Sequence, residues 1–171
     1  MNIEAQMEAR LAELNFDFND FTMERFVAHI QQLKSREIHF VGWQMPLGMY
    51  GAWISDAEEP REFVFFDKTL PPLQKIHTQL HELAHIISDH PTKRLSRIEM
   101  EDILRRARQE PDILQEVLLR APDTAQCEDE AETLAALIQK QVIRCQRLQQ
   151  LTVIVSSDTD VAEQFKALGL I

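Results

Sequence analysis

HTQLHELAHIISDH, residues 77–90, is the stretch on which the reading of this chain turns. Just ahead of it, Pro71 and Pro72 suit a helix start. Leu73, Ile76, Leu80, Leu83 and Ile87 then recur at 3-4-3-4 spacing, the apolar face of a helix that stops at His90–Pro91. Within that helix His81 and His85 lie four residues apart, about 40° around the axis, so both imidazoles can reach one metal ion. Glu82, beside the first histidine, is placed to take a proton from a water on that ion. Counted at about 100° per residue, the stripe faces the core and the two histidines flank its edge, where a half-buried site at a cleft floor belongs. From the chain's six histidines and its glutamates, roughly 0.02 chance matches to His-Glu-x-x-His are expected. The competing reading is a helix with His and Glu on a solvated side.

Working outward, EIHFVGW (37–43), GMYGAWI (48–54) and EFVFFD (62–67) read as strands, the last two separated by the acidic turn DAEEPR. Three of the four glycines lie between 42 and 51, which predicts a tight hairpin there. Helical spacing covers 3–15 and 22–34 before the strands. After the His-rich stretch it covers 96–109, 111–120 and about 126–149. TVIVSS (152–157) reads as a short strand, followed by a last helix from about 159, with Asp158 as N-cap. The expected fold is α+β: a small three-stranded antiparallel sheet on a mostly helical body that carries the His-Glu helix. One domain spans 1–171, with N-terminal helices over 1–35, the sheet over 36–67, site helices over 71–149 and a C-terminal strand and helix over 150–171.

With 171 residues, 44% of them hydrophobic and 27% charged, the chain falls in the globular class, and a chain this long needs no disulfide to fold. Its formal net charge of −10 argues against a direct nucleic-acid role, because that affinity rests on Lys and Arg displacing counterions. No apolar run reaches the ~18 residues of a membrane span, and the acidic N-terminus is not a secretory signal. Cys127 and Cys145, on one predicted helix about 27 Å apart, cannot pair. The cytoplasm is the default compartment. Arg105, Arg106 and Arg108 sit among acidic residues and read as a solvated, salt-bridged face.

A catalytic zinc usually takes a third protein ligand and leaves the fourth position to water. His90 is about 180° around a continuous helix from His81, so it can ligate only if the chain turns sharply before it. His77 shares the histidine stripe, but three ligands along one straight helix spread over about 12 Å. A carboxylate from a second helix is easier. CEDEAETLAALI (127–138) supplies Glu128, Asp129, Glu130 and Glu132. Its apolar positions Ala131, Leu134, Ala135 and Ile138 face the core, which leaves Glu130 beside that stripe and able to look into the cleft.

HELAH (81–85), followed by Glu-x-Glu-Ala-x-x-Leu-Ala at 128–135, resembles the ImmA/IrrE family of bacterial regulatory metallopeptidases, which pair HExxH with a downstream helix reading roughly ExEAxxFA. The likeness covers about residues 36–140. Two departures are Leu134 for the usual Phe and Glu132 for the frequent Asn. The resemblance implies a zincin-like fold, Zn2+ as cofactor, and a metal set of His81, His85 and Glu130, with Glu128 the fallback and Glu82 catalytic. It also implies a zinc-dependent endopeptidase acting in trans on a protein substrate, a helix-turn-helix repressor. Tyr50, the one tyrosine, is a candidate to assist the oxyanion; an ordinary surface or core tyrosine is the other reading. EFVFF (62–66) is either a peptide-docking edge or a core strand. The rival function is a non-catalytic, zinc-stabilised protein that sequesters a partner, its site closed by a fourth protein ligand, His90 or Glu128.

Overall fold

The structure is a computed structural model that describes residues 2–110, 112–118 and 124–157, together with 163 and 166. Two capped helices open the chain. In α1 (Ile3–Glu13) the Asn2 side chain accepts from the backbone N–H of Glu4, and in α2 (Met23–Lys34) Thr22 accepts from Arg25. Such caps satisfy amides that the first helical turn leaves without partners. Three strands follow: β1 (Glu37–Trp43), β2 (Gly51–Asp56) and β3 (Arg61–Asp67). Then come α3 (Pro72–Ile87), β4 (Lys93–Leu95), α4 (Arg97–Ala107), α5 (Asp112–Leu118) and α6 (Ala125–Ser157). Helix α4 starts on a capping box in which Ser96 and Glu99 bond reciprocally.

The α+β class is as expected, but the sheet differs from the expected three antiparallel strands. Among the described residues it has four strands, is mixed, and runs β1-β3-β2-β4. Strand β3 pairs parallel with β1 and antiparallel with β2, while the short β4 runs parallel to β2 from Ile54 to Asp56. No tight hairpin joins β1 to β2, because β3 lies between them. The hairpin is instead β2–β3, closed by the acidic turn, where Asp56 accepts from the N–H groups of Glu58 and Glu59. The placement of β3 also corrects the idea that 62–66 offers a docking edge, since both of its sides are paired. TVIVSS differs too: 152–157 continues α6 as helix. The β-branched residues there cost a few tenths of a kcal/mol each against helix, which an already nucleated helix absorbs. The helix expected after 159 falls, apart from 163 and 166, outside the described residues.

Alternation along the strands separates two cores. On one face Ile38, Trp53 and Val64 pack with Met7, Phe26 and Ile30 from the N-terminal helices and with α3 and α6. On the other face Ala52, Ile54 and Phe65 meet Met45, Met100, Ala107 and Leu114. The contact between α3 and α6 fixes the candidate site. It is built on Leu80, Leu83, Ala84 and Ile87 against Ala131, Leu134, Ala135 and Ile138, all of them buried. The alanines let the two backbones approach closely. The predicted α3 stripe holds from Leu80 onward, whereas Leu73 and Ile76 are exposed. The arginine patch behaves as expected, with Arg105 and Arg106 both paired to Asp102 on an exposed face. Cys127 and Cys145 are free thiols. Among the described residues, no helix is long and apolar enough to cross a membrane.

Candidate metal centre

The first turn of α6 lies across from the middle of α3, and this brings three donors together. Nε2 of His81 and Nε2 of His85 are 3.1 Å apart. Oε2 of Glu128 lies 3.2 Å from the first, and its Oε1 lies 3.6 Å from the second. These three residues form a group that could hold a metal ion. A tetrahedral ion with bonds of about 2.0–2.1 Å separates its ligand atoms by about 3.3 Å. The two ring nitrogens stand near that distance from each other and each faces a different Glu128 oxygen, so the donor types suit a divalent cation such as zinc.

The sequence expectation of Glu130 as the third donor is not what the geometry brings together. Position 130 is about 200° around the helix from 128, so its carboxylate points away from the two Nε2 atoms. Both Glu130 oxygens are already engaged: Oε1 accepts from Gln126 at 2.8 Å, and Oε2 lies 3.1 Å from Nε2 of His90. The hydrogen bond from Gln126 holds the Glu130 carboxyl below the usual carboxylate range; burial works against this, and His90 and Arg10 add to it. Glu128, by contrast, has a half-exposed side chain, as suits a ligand at the mouth of a cleft.

His90 reaches this region by the sharp turn that its position requires. Helix α3 ends at Ile87, and Asp89 adopts a left-handed conformation with φ of 53°, which folds the chain back. The backbone N–H of His90 then donates to the His85 carbonyl, and its ring meets Nδ1 of His85 at 3.0 Å. It therefore stands behind His85, on the side away from Glu128, and does not join the converging donors. On the other flank Oε2 of Glu132 lies 3.3 Å from Nδ1 of His81 and 3.2 Å from Nε2 of His77.

His77, His81, His85, Glu128 and Glu132 line a cleft of about 550 Å³ between α3, the start of α6 and the segment from Gly48 to Trp53. Glu82 is buried in its wall. Opposite it, β2 comes so close that a Cβ on Gly51 would sit 2.7 Å from Oε1 of Glu82 and 2.5 Å from Cγ2 of Thr78. Glycine at 51 is what lets the strand pass over the carboxylate. Tyr50 is 61% exposed at the cleft mouth. Trp53 lies beside His85, its ring centroid 6.3 Å away, and its indole N–H donates to the buried Glu62, which also holds Arg36.

The edge of β2 faces the cleft. The carbonyl of Trp53 points away from β3, since it accepts from the Thr92 hydroxyl at 2.8 Å, whereas the Tyr50 carbonyl accepts from the Asp67 N–H on β3. Antiparallel alternation then directs the amide and carbonyl of Gly51 into the cleft as well. Sequence reasoning missed Gly51 and Trp53, and offered Glu132 only among the carboxylates that could complete the metal set. The clustering of glycines near 51 was the only local signal, and it is equally the signature of a turn. Comparison of the chain with protein-family models, with curated proteins and with solved structures returns no match.

Proposed function

We propose that the chain is a zinc-dependent endopeptidase, with His81, His85 and Glu128 holding the ion and Glu82 serving as proton carrier. The observation that carries this reading is the convergence of the His81, His85 and Glu128 donors in one cleft, with a buried glutamate beside the first histidine. Zinc so held supplies Lewis-acid polarisation of a peptide carbonyl and lowers the pKa of a water toward ~7. The remaining chemistry belongs to the chain. Glu82 accepts the water's proton on its carboxylate and delivers it to the leaving amine. Gly51, on the β2 edge, pairs with the main chain of an extended peptide and so orients the scissile bond. Tyr50, at the mouth, is within the lining that such a peptide would touch.

The likeness of HELAH and the 128–135 segment to the ImmA/IrrE peptidases supports the same chemistry. It also suggests the substrate: a helix-turn-helix repressor cut in trans in the cytoplasm, with no direct contact between this chain and DNA. Incubating the zinc-loaded full chain with the repressor encoded beside it, followed by mass spectrometry, tests the reading. The expected result is one zinc per chain and cleavage by the wild type. Glu82→Gln should keep the zinc and lose hydrolysis. Zinc bound by four side chains with no cleavage would favour the sequestering alternative instead.

A further inference from the structure

Behind the converging donors, His85 heads a chain of polar contacts that runs into the interior. Its Nδ1 lies 3.0 Å from Nδ1 of His90, Nε2 of His90 lies 3.1 Å from Oε2 of Glu130, and Oε1 of Glu130 accepts from Gln126. His85, His90 and Glu130 are all buried, so each polar atom must find its partner within the chain or leave a costly unsatisfied group. With Glu130 as a carboxylate and both rings neutral, one proton arrangement satisfies the two ring contacts of His90. A carboxylate can only accept, so Nε2 of His90 carries a proton and donates it. The Nδ1 of His90 is then bare and accepts. His85 must therefore carry its proton on Nδ1, so its Nε2 presents a lone pair, and that Nε2 is the atom 3.1 Å from Nε2 of His81 and 3.6 Å from Oε1 of Glu128.

We propose that Glu130, acting through His90, is a positioning residue that fixes the ring orientation and tautomer of His85 for metal binding. The purpose of this relay rests on the metal reading above. Metal-bound histidines commonly donate their other ring N–H to a carboxylate or carbonyl, and losing that partner weakens metal binding by about 10–100-fold. Here a second imidazole is interposed, which lets a carboxylate on α6 act on a ring of α3 from the far side of the helix pair. Glu132 does the same for His81 directly, at 3.3 Å, but from an exposed position shared with His77. The second acidic position of Glu-x-Glu-Ala thus orients a ligand, while the first supplies one.

Nitrogen-15 NMR of the histidine rings in the metal-free full chain, at about pH 8 where ordinary imidazoles are neutral, reads the tautomers directly. The expected result is a proton on Nδ1 of His85 and on Nε2 of His90. A wild-type His85 protonated on Nε2 overturns the relay without any variant. Zinc affinity by chelator competition supplies the second readout. His90→Leu should lose about 10–100-fold, whereas His90→Gln, whose amide can accept from His85 and donate to Glu130, should stay within about threefold of wild type. Wild-type affinity in a folded His90→Leu overturns the relay alone, and so does an equal loss in both variants. A wild type that binds no zinc overturns the metal reading, a result the NMR arm keeps separate from the hydrogen-bond chain.

Discussion

Gly51→Ala adds a single methyl group at the point where β2 crosses α3, and its cost follows from two distances. The new carbon would lie 2.5 Å from Cγ2 of Thr78 and 2.7 Å from Oε1 of Glu82, against ordinary contacts of about 3.5–4.0 Å. About 1 Å must be found. Thr78 cannot yield it cheaply, because it is buried and β-branched, with a stiff χ1. Overpacking of this kind costs about 1–3 kcal/mol, which lowers the melting midpoint of a chain this size by about 2–12 °C. The backbone adds nothing, since Gly51 sits in an ordinary extended strand. The other neighbour, Glu82, yields by moving its carboxylate, and a 1 Å misplacement of a catalytic group can cost about 10²-fold in rate. Zinc affinity should hold within about threefold, because the clash spares His81, His85 and Glu128. Thermal denaturation, chelator competition and peptide hydrolysis measure the three effects separately. Adding Thr78→Ser, which deletes Cγ2, should restore most of the stability while leaving the rate low. A Gly51→Ala protein as stable and as active as wild type would refute the argument that β2 packs directly on the Glu82 carboxylate.

Three further outcomes follow from the same geometry. Leu83 is fully buried between the sheet and α6, so Leu83→Ala should cost about 2–5 kcal/mol in urea denaturation; a loss below about 1 kcal/mol would mean that this core is not packed as described. Glu128→Ala should weaken zinc binding by about 10²-fold or more, beyond any effect of Glu130→Ala, and the reverse order in a chelator titration would return the ligand role to Glu130. The backbone N–H of Glu58, with that of Glu59 and the charges of Arg61 and Arg94, holds the Asp56 carboxyl below its ordinary value despite burial. A depressed folded value gives stability that is whole above about pH 4 and is lost as pH falls through the folded value. Asp56→Asn should therefore be less stable at neutral pH and show a flatter acid limb in melting midpoints; an acid limb as steep as the wild type's would contradict this.

The site helix was legible because its signals are local. Pro71–Pro72 mark the start of α3, the apolar repeat from Leu80 and the stop at His90–Pro91 place its end within about three residues of Ile87, and His81, Glu82 and His85 need only the pitch of a helix to fall together. The sheet was less so. Strand β4 is three residues, two of them Lys and Arg, with no alternation to betray it, and the parallel pairing of β1 with β3 joins segments whose local patterns carry no trace of each other. The choice between Glu128 and Glu130 depends on how α6 is rotated against α3, where each residue is worth about 100°. The path of His90 depends on one backbone angle at Asp89, which periodicity does not encode.

That angle has a consequence for motion. Helix ends ordinarily open and close more readily than helix middles. The last turn of α3 is instead held at several points: Asp89 is bonded to Lys34 of α2 at 2.6 Å, and the next residue is locked between His85 and Glu130. To open this turn the chain would have to break the partner of His85, so under the proposed metal reading local opening and loss of the ion would be one event. Filling the donor set should then slow amide exchange over residues 84–90 by the factor that occupancy gives. The α2–α3 junction would thereby report an ion that it never touches.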